Sequence, residues 1–275
     1  MPRVLLGFCV GCALAFSGTA MQTLVKNELA DPFILGVSYG ASAFSGLGMI
    51  TGAFVSLGVF QNAANAMIGS LFSLAFVVLY SLNGKRVNID QLLLGGVAIS
   101  MFMKSFLKIL GATSTAVQKM VSSGFWTSGG LASARMDYLG WPMVLILVCM
   151  IFLMINHRSL NIFLFGNETA HTLGVRVRFM ENTLILATSL IVGVTVAVSG
   201  GIGFIGLVAP HVTRILVGGD HKRVFPISAL MGGIFLLWCD VMARMMFAPR
   251  EMSVGIFTAL IGGPLFIILL KKKQK

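Results

Sequence analysis

Long apolar blocks separated by short polar breaks run along the whole chain. The blocks cover residues 4–24, 33–57, 63–82, 92–111, 141–155, 184–198, 202–217, 225–247 and 254–270. Most have the length at which a helix crosses a hydrocarbon core of about 30 Å. A helix satisfies its own backbone hydrogen bonds in lipid, and the blocks are too long for barrel strands. The pattern therefore predicts an all-α fold, a polytopic transmembrane helical bundle of about nine spans.

Composition supports a membrane location. The chain is 57% hydrophobic and 11% charged, whereas a soluble domain carries about 25% charged residues. No linker divides the sequence, so residues 1–275 are expected to form a single transmembrane domain.

The net charge of +11 does not indicate a nucleic-acid partner, because the basic residues cluster in alternate loops. The clusters are Lys85 with Arg86, then Arg158, Arg176 and Arg178, then Arg214, Lys222 and Arg223, and finally Lys271, Lys272, Lys273 and Lys275. The positive-inside rule assigns that side, including the C-terminus, to the cytoplasm. An odd number of spans then leaves Met1 outside, with almost nothing before the first helix.

Two connections are longer than tight turns. Residues 112–140 are expected on the outer face, and residues 156–182 on the cytoplasmic face. In the second loop, Asn167 is a candidate N-cap, Glu168 favours the start of a helix, and Gly174 favours its end. Two short helices joined at Gly166 are predicted, which indicates either a docking element for a partner subunit or a loop that simply returns the chain.

Several segments together resemble one family. They are Ser17-Gly18 through Gln22, Asn27-Glu28-Leu29-Ala30-Asp31-Pro32 followed by Leu35-Gly36-Val37, the run Ser199-Gly200-Gly201-Ile202-Gly203-Phe204-Ile205-Gly206-Leu207-Val208-Ala209-Pro210-His211, Asp240-Val241-Met242-Ala243-Arg244, and Ile261-Gly262-Gly263-Pro264-Leu265-Phe266. In order and spacing they are similar to the FecCD-type permeases of type II ABC importers, which move iron-siderophores, haem or vitamin B12. The resemblance covers essentially the whole chain. Family members have ten spans, and this chain resembles them from the second span onward, as if the first family helix were missing.

The resemblance implies an inner-membrane permease subunit without enzymatic activity or a cofactor of its own. Two such chains, identical or homologous, would form the path, two separate ATPase subunits would bind below, and an extracytoplasmic binding protein would deliver cargo. Ferric siderophore is the first expectation for the cargo, with haem and cobalamin as alternatives. ATPase coupling would fall on the cytoplasmic loop at Gly166, Asn167, Glu168, Thr169, Ala170, Leu173 and Gly174.

Asp240 and Arg244 lie one helical turn apart in an apolar block, where a lone charge costs at least about 3 kcal/mol. They are expected to pair or to lie near the outer surface. The resemblance implies that Arg244 docks the binding protein, and a purely fold-stabilising pair is the alternative. Arg250 in the same outer loop is a weaker docking candidate.

Lys104 and Lys108 share one helix face in the outward half of the fourth span. Two like charges in one turn repel each other, so they are expected to face water or an anion. Either they line an outer vestibule for anionic cargo, or they extend toward lipid headgroups.

The remaining residues that could carry chemistry are expected to have structural roles. The glycine run 200–206 lacks the G-K-[ST] of a phosphate loop. His211 stands alone among apolar residues, and Cys9 and Cys12 lie in an apolar helix without a second pair, so no metal site is expected. An ion-coupled transporter would need acids near mid-membrane, where Asp240 is almost the only candidate. An intramembrane protease is disfavoured because no H-E-x-x-H is present.

Overall fold

Helices form nearly all of the regular structure in the computed structural model, which describes residues 1–83, 86–122, 128–132, 134, 140–248 and 251–273. In chain order they are α1 (Pro2–Val25), α2 (Val37–Thr51), α3 (Gln61–Ser81), α4 (Ile89–Thr113), α5 (Thr115–Ser122), α6 (Gly140–Ile155), α7 (His157–Phe163), α8 (Asn167–Thr172), α9 (Val177–Ser199), α10 (Ile205–Val217), α11 (His221–Met245) and α12 (Val254–Lys273). Each of the nine predicted blocks contains one of these helices, which confirms the all-α class.

Two short strands, β1 (Leu82–Asn83) and β2 (Arg86–Val87), pair antiparallel between α3 and α4. This small hairpin was not predicted. A two-residue strand is too short to show the period-two alternation on which a sequence-based assignment rests.

The predicted span over residues 33–57 is wrong in its extent. The structure divides it into a 3-10 helix (Pro32–Leu35), α2 and a second 3-10 helix (Val55–Phe60). The backbone is left-handed at Gly36, Gly52 and Phe54, and each of these positions interrupts the α-helical hydrogen bonding. The apolar pattern continues across the breaks, so hydropathy alone does not reveal them.

By length and composition, five helices are long and apolar enough to cross a membrane within the described residues: α1, α3, α4, α9 and α11. The apolar part of α6 and the short α7 satisfy the same test together, but they are bent by 63° at their junction. Helix α10 and the segment Val254–Ile268 of α12 are shorter apolar helices.

Helix α1 lies in the interior and packs closely against α9, α10 and α11. Small residues permit this packing: a Cβ on Gly11 would overlap the backbone of Gly232 in α11, and one on Gly18 would overlap the backbone of Gly206 in α10. Such close approach supplies van der Waals contact where lipid removes the hydrophobic drive between helices. The aromatic rings of Phe16 and Phe225 stack with their centroids 4.3 Å apart, which adds to the α1–α11 contact.

The connection between α4 and α6 contains a helix and packs onto the bundle. Helix α5 lies within it, Leu131 is fully buried, and the N–H of Gly130 donates to the carbonyl of Ser199 at 2.8 Å. The residues 123–127, 133 and 135–139 of this connection lie outside the described part of the chain.

Candidate functional site

The helix pair α7 and α8 forms a short element that leaves the bundle axis. Helix α7 has seven residues and α8 has six, and residues 164–166 connect them. Gly166 has φ +110°, which side-chain-bearing residues rarely adopt, and it allows the sharp turn into α8. Gly174, with φ +80°, follows the end of α8 as predicted. The prediction of two short helices joined at Gly166 is therefore confirmed.

Helix α8 is anchored on one face and open on the other. Ala170 is completely buried, whereas Glu168, Thr169 and Leu173 are exposed, and the side chain of Leu173 is 62% accessible. Glu168 lies in the first turn, where a carboxylate interacts favourably with the helix dipole.

Asn167 does not cap α8 as predicted, because Gly166 occupies the N-cap position and no side chain caps the helix. The Asn167 side chain instead accepts a hydrogen bond from Nζ of Lys26 at 2.6 Å and donates one to Oε1 of Glu181 at 3.2 Å. Lys26 follows the end of α1, and Glu181 lies in the first part of α9. Both partners are remote in sequence, so local capping rules did not predict this arrangement.

The Lys26 ammonium group also lies 4.7 Å from the ring centroid of Phe163 in α7, within cation–π range. Lys26 thus links the end of α1 to both members of the helix pair. We call the contacts among Lys26, Asn167 and Glu181 the α8 tether.

A second set of contacts holds α7 to the start of α11. Nδ2 of Asn161 donates to Oδ1 of Asp220 at 2.7 Å, and Oδ1 of Asn161 accepts from the backbone N–H of His221 at 2.9 Å. The hydrogen bonds from Asn161 and from the backbone N–H of Lys222 hold the pKa of Asp220 below its ordinary value.

The His221 ring continues this set of contacts into the bundle. Its Nδ1 lies 2.6 Å from Oδ1 of Asn161, and its Nε2 lies 2.7 Å from Oγ1 of Thr23 in α1. The same amide oxygen accepts the backbone N–H of His221, so Nδ1 carries a proton and donates to it. A displacement of α7 would therefore be transmitted through these hydrogen bonds to both α1 and α11.

A groove of about 590 Å³ runs beside α8. Charged and polar groups, with Val177 as an apolar member, line it: Asn167, Glu168, His171, Thr172, Arg176, Val177, Arg178 and Glu181. Because Asn161 of α7 contacts Asp220 at the start of α11, the basic residues of the α6–α9 connection and those beside Asp220 lie at one end of the bundle, which we call the basic end. This arrangement agrees with the predicted clustering of positive charge on a single side.

An ion cluster lies at the opposite end of α1 and α11. Nη2 of Arg3 lies 2.8 Å from Oδ1 of Asp240, and Nη1 of Arg3 lies 2.9 Å from Oε2 of Glu251. Asp240 is 2% accessible, and Nε of Arg244 lies 3.3 Å from its Oδ2. The predicted pairing of Asp240 with Arg244 is confirmed, and Arg3 is an additional partner that the pattern did not indicate.

Arg244 is 41% accessible despite this pairing, so part of its guanidinium group faces outward. Arg250, the second docking candidate, lies outside the described residues. Docking of a binding protein at this end stays a prediction.

Lys104 and Lys108 are both exposed on α4. The Nζ of Lys104 lies 5.7 Å from the ring centroid of Tyr39 in α2. Neither the vestibule interpretation nor the lipid-headgroup interpretation is decided by these contacts.

The remaining reactive residues occupy packed positions. His211 is 3% accessible, and its Nδ1 lies 3.2 Å from Oε2 of Glu28. Cys9 Sγ lies 3.9 Å from Met143 Sδ, and Cys12 packs against Gly233. Within the described residues, no group of three or more His, Cys, Asp or Glu side chains is arranged to hold a metal ion.

The sequence-based assignment of the site omitted Lys26, Asn161, Glu181 and Arg3. Lys26 directly follows one apolar block, and Glu181 lies close to the start of another. A charged residue at the end of a predicted span was the weak indication that each could have a role there. Nothing in the sequence indicated which partners these four residues meet.

The structure is that of a helical membrane protein with an exposed, tethered helix pair at one end. The model of the FecCD transport family matches residues 1–272. The chain therefore belongs to the FecCD transport family.

Curated relatives match along the whole chain. The "Hemin transport system permease protein HmuU" of Yersinia pestis is 40% identical over 277 residues, covering 100% of this chain and 82% of the relative. The "Vitamin B12 import system permease protein BtuC" of Citrobacter koseri is 35% identical over 284 residues, covering 100% and 82%.

A solved structure of a metal-chelate type ABC transporter in an inward-facing conformation matches with a TM-score of 0.88 and 31% identity. The match covers 98% of this chain and 86% of the solved one. The fold and the family resemblance predicted from the motifs are confirmed together.

Proposed function

We propose that this chain is the transmembrane permease subunit of an ATP-binding-cassette importer that moves iron-chelate complexes into the cytoplasm. The observation that carries the proposal is the helix pair α7–α8, which is tethered to α1, α9 and α11 while one face of α8 stays exposed. The family membership and the names of the relatives support it.

The proposed assembly has two ATPase subunits at the basic end. Residues 156–182 form its cytoplasmic coupling loop, and Gly166, Asn167, Glu168, Thr169, Ala170, Leu173 and Gly174 form the coupling element. ATP binding in the partner pushes on α8, and the α8 tether passes the displacement to α1 and α9. The chain itself performs no covalent chemistry, because ATP is hydrolysed by the separate subunit.

At the other end, an extracytoplasmic substrate-binding protein docks on Arg244 and Arg250, next to the outer connection 112–140. A second copy of the chain, or a homologous permease, completes the path. The single transmembrane domain lies in the plasma (inner) membrane of a bacterium or archaeon, with its C-terminus in the cytoplasm. Transport then requires a bundle with two states, biased by ATP at one end and by loaded binding protein at the other.

An apolar groove of about 610 Å³ suits a bulky chelate in such a path. It lies between the start of α10 and α12, and glycines make up much of its wall, so there is little side-chain bulk to obstruct a large ligand. The lining residues are Ser128, Gly201, Gly203, Phe204, Gly255, Ile256, Ala259 and Leu260.

Ferric siderophore is the cargo proposed first. Haem and cobalamin are alternatives within the same family, favoured by the names of the two curated relatives. The visible absorption of the isolated cognate binding protein separates the three, since ferric siderophores, haem and corrinoids absorb differently.

Ion-coupled secondary transport has less support. Asp240, its candidate acid, lies at the end of the bundle between the guanidinium groups of Arg3 and Arg244. An acid engaged by two guanidinium groups at the end of the bundle is not placed to serve as a mid-membrane ion site.

The coupling role is tested by placing two cations on the open face of α8. With Glu168→Arg and Thr169→Arg together, we expect the purified chain to lose its ATPase partner and vanadate-sensitive uptake to fall at least about tenfold, because two bulky, charged side chains on the contact face obstruct docking and must be desolvated. Co-purification and uptake in proteoliposomes measure the two effects.

The control for this test is Lys119→Glu, a charge change on exposed α5 in the predicted outer connection, which is expected to retain the partner. Full retention of the ATPase subunit by the double α8 variant would move the coupling surface elsewhere.

The vestibule role of Lys104 and Lys108 gives a separate expectation. Changing both to Gln is expected to lower uptake of an anionic ferric complex about fivefold, because two cations raise the local concentration of an anion at the entrance. Uptake of an uncharged complex by the same variant is the control. Unchanged uptake of the anionic complex would leave the headgroup interpretation.

A further inference from the structure

Asn161 joins α7 to the start of α11 through both ends of its amide group. Its Nδ2 donates to the carboxylate of Asp220 at 2.7 Å, and its Oδ1 accepts from the backbone N–H of His221 at 2.9 Å. A carboxylate accepts and a backbone N–H donates, so a single orientation of the amide satisfies both partners. We call the contacts among Asn161, Asp220 and His221 the α7 clamp.

The α7 clamp completes the N-terminus of α11. Asp220 is the N-cap residue, and its Oδ1 accepts from the backbone N–H of Lys222 at 3.0 Å. His221 is the first residue of α11, so its backbone N–H has no acceptor within the helix, and the residue is fully buried. Asn161 supplies that acceptor from another helix. Separation of α7 from α11 would therefore leave a buried donor unpaired, which is costly.

Buried contacts continue from the α7 clamp along the interface of α1 and α11. Nε2 of His221 lies 2.7 Å from Oγ1 of Thr23, and Oγ1 of Thr19, one turn further, lies 3.0 Å from Oγ of Ser228. All four residues are inaccessible to solvent. The close backbone approach of the two helices lies further along the same interface. A displacement at the start of α11 is therefore shared by α1.

Helices α1 and α11 connect the two ends of the bundle. They have 24 and 25 residues, which corresponds to about 36 Å of helix. The α7 clamp lies at the basic end, and the ion cluster of Arg3, Asp240 and Arg244 lies at the other. The two helices thus join the surface proposed for the ATPase subunit to the surface proposed for the binding protein.

The α8 tether is a less rigid route than the α7 clamp. Lys26 reaches Asn167 through a long side chain, and their contact is exposed. A lysine side chain of this kind has many rotamers and can follow a displacement without passing it on. Asn161 has a short side chain and meets the backbone of α11 in partly buried contacts, so its geometry is held more strictly.

We propose that Asn161 is a positioning residue for transport, which through the α7 clamp converts a displacement of α7 into a joint movement of α1 and α11. This role rests on the proposed importer function and adds a residue that sets how much cargo moves for each ATP hydrolysed. Loss of the clamp uncouples hydrolysis from transport. It does not release the ATPase subunit, because the exposed face of α8 is unchanged.

The test uses the intact chain with its ATPase subunit in proteoliposomes, and the cargo is the one that the cognate binding protein carries, identified by its visible absorption. Asn161→Leu has a similar size and removes both bonds of the clamp. The exchanged pair, Asn161→Asp with Asp220→Asn, keeps an acceptor for His221 and an N-cap for α11, and it reverses donor and acceptor in the remaining bond. Asn156→Leu is the matched control, because the Asn156 amide donates to the carbonyl of Phe152, four residues earlier.

Asn161→Leu is expected to raise the ATP hydrolysed per cargo molecule imported at least about fivefold, the lower end of typical coupling between two sites. The ATPase subunit should still co-purify. The exchanged pair should return the ratio to near the wild-type value, and Asn156→Leu should leave it unchanged. Amide hydrogen exchange over residues 221–225 reports the clamp without transport: it should be faster in Asn161→Leu and normal in the exchanged pair.

Faster exchange with an unchanged ratio in Asn161→Leu would overturn the positioning role and leave the importer assignment intact. Unchanged exchange would overturn it as well, since the clamp would then not hold α11. A wild type with no ATPase subunit and no nucleotide-dependent uptake would overturn the importer assignment and this role together.

If Asn161→Leu does not fold, Asn161→Asp alone is compared with the exchanged pair. Two carboxylates face each other in the single variant and repel, so its ratio of ATP to cargo should exceed that of the pair. Equal ratios would reject the positioning role.

Discussion

Gly18→Ala is expected to separate α1 from α10 and to destabilise the protein by about 3 kcal/mol or more, beyond the usual cost of an overpacked side chain. The added Cβ would overlap the carbonyl oxygen and the Cα of Gly206, which are backbone atoms and have no alternative rotamer. Gly206 in turn packs against Leu14 and Pro32, so α10 has little room to withdraw. The unfolding midpoint in detergent should fall by about 10 °C, and the yield of monodisperse protein should fall with it.

The matched control is Gly140→Ala. A Cβ at Gly140 meets nothing within 4 Å, and the residue begins α6 without a left-handed backbone. Its midpoint should remain near that of the wild type. Equal midpoints for Gly18→Ala and Gly140→Ala would mean that α1 and α10 do not pack backbone to backbone.

Asp240→Ala is expected to cost about 3 kcal/mol, because removal of a buried carboxylate leaves a guanidinium uncompensated. Arg3 makes its contacts to Asp240 through both Nε and Nη2, at 3.0 and 2.8 Å. Without that carboxylate, Glu251 is the one acidic partner left to Arg3 among the described residues, and Arg244 loses its ion-pair partner one turn away. Thermal unfolding of the purified chain measures the loss.

Glu251→Gln is the comparison for Asp240→Ala. Glu251 is 47% accessible, so its pair with Arg3 is screened by solvent and is worth at most about 1 kcal/mol. A loss for Glu251→Gln as large as that for Asp240→Ala would show that burial of Asp240 does not set the strength of the cluster.

Asp240 also positions Arg244, the residue proposed to dock the binding protein. It orients two guanidinium groups at the ends of α1 and α11 that lie away from the basic end, and Arg244 remains partly accessible there. The fold-stabilising and docking interpretations of Arg244 are therefore compatible, since one carboxylate can position a side chain that also meets a partner.

The two ends of α8 could be predicted from the sequence, but the contacts of Asn167 could not. Gly166 and Gly174 indicated both ends of α8, because glycine allows left-handed backbone without a steric penalty. The same reasoning failed for Asn167, whose amide had two stronger partners in Lys26 and Glu181. A capping rule considers only neighbours in sequence, whereas a side-chain amide binds whichever charged group lies nearest in space.

The sequence by itself determined the helical class, the approximate positions of the spans and the short helix pair, because these depend on local periodicity, length and turn residues. The family was indicated by the resemblance of several motifs, in order and spacing, to known permeases. Tertiary structure alone decided which charges meet: Arg3 with Asp240, Lys26 with Asn167, and Asn161 with His221. It also decided where the apolar block over residues 33–57 breaks. Hydrophobic periodicity reports the environment of each helix, but the pairing of polar groups depends on how helices distant in sequence are placed against one another.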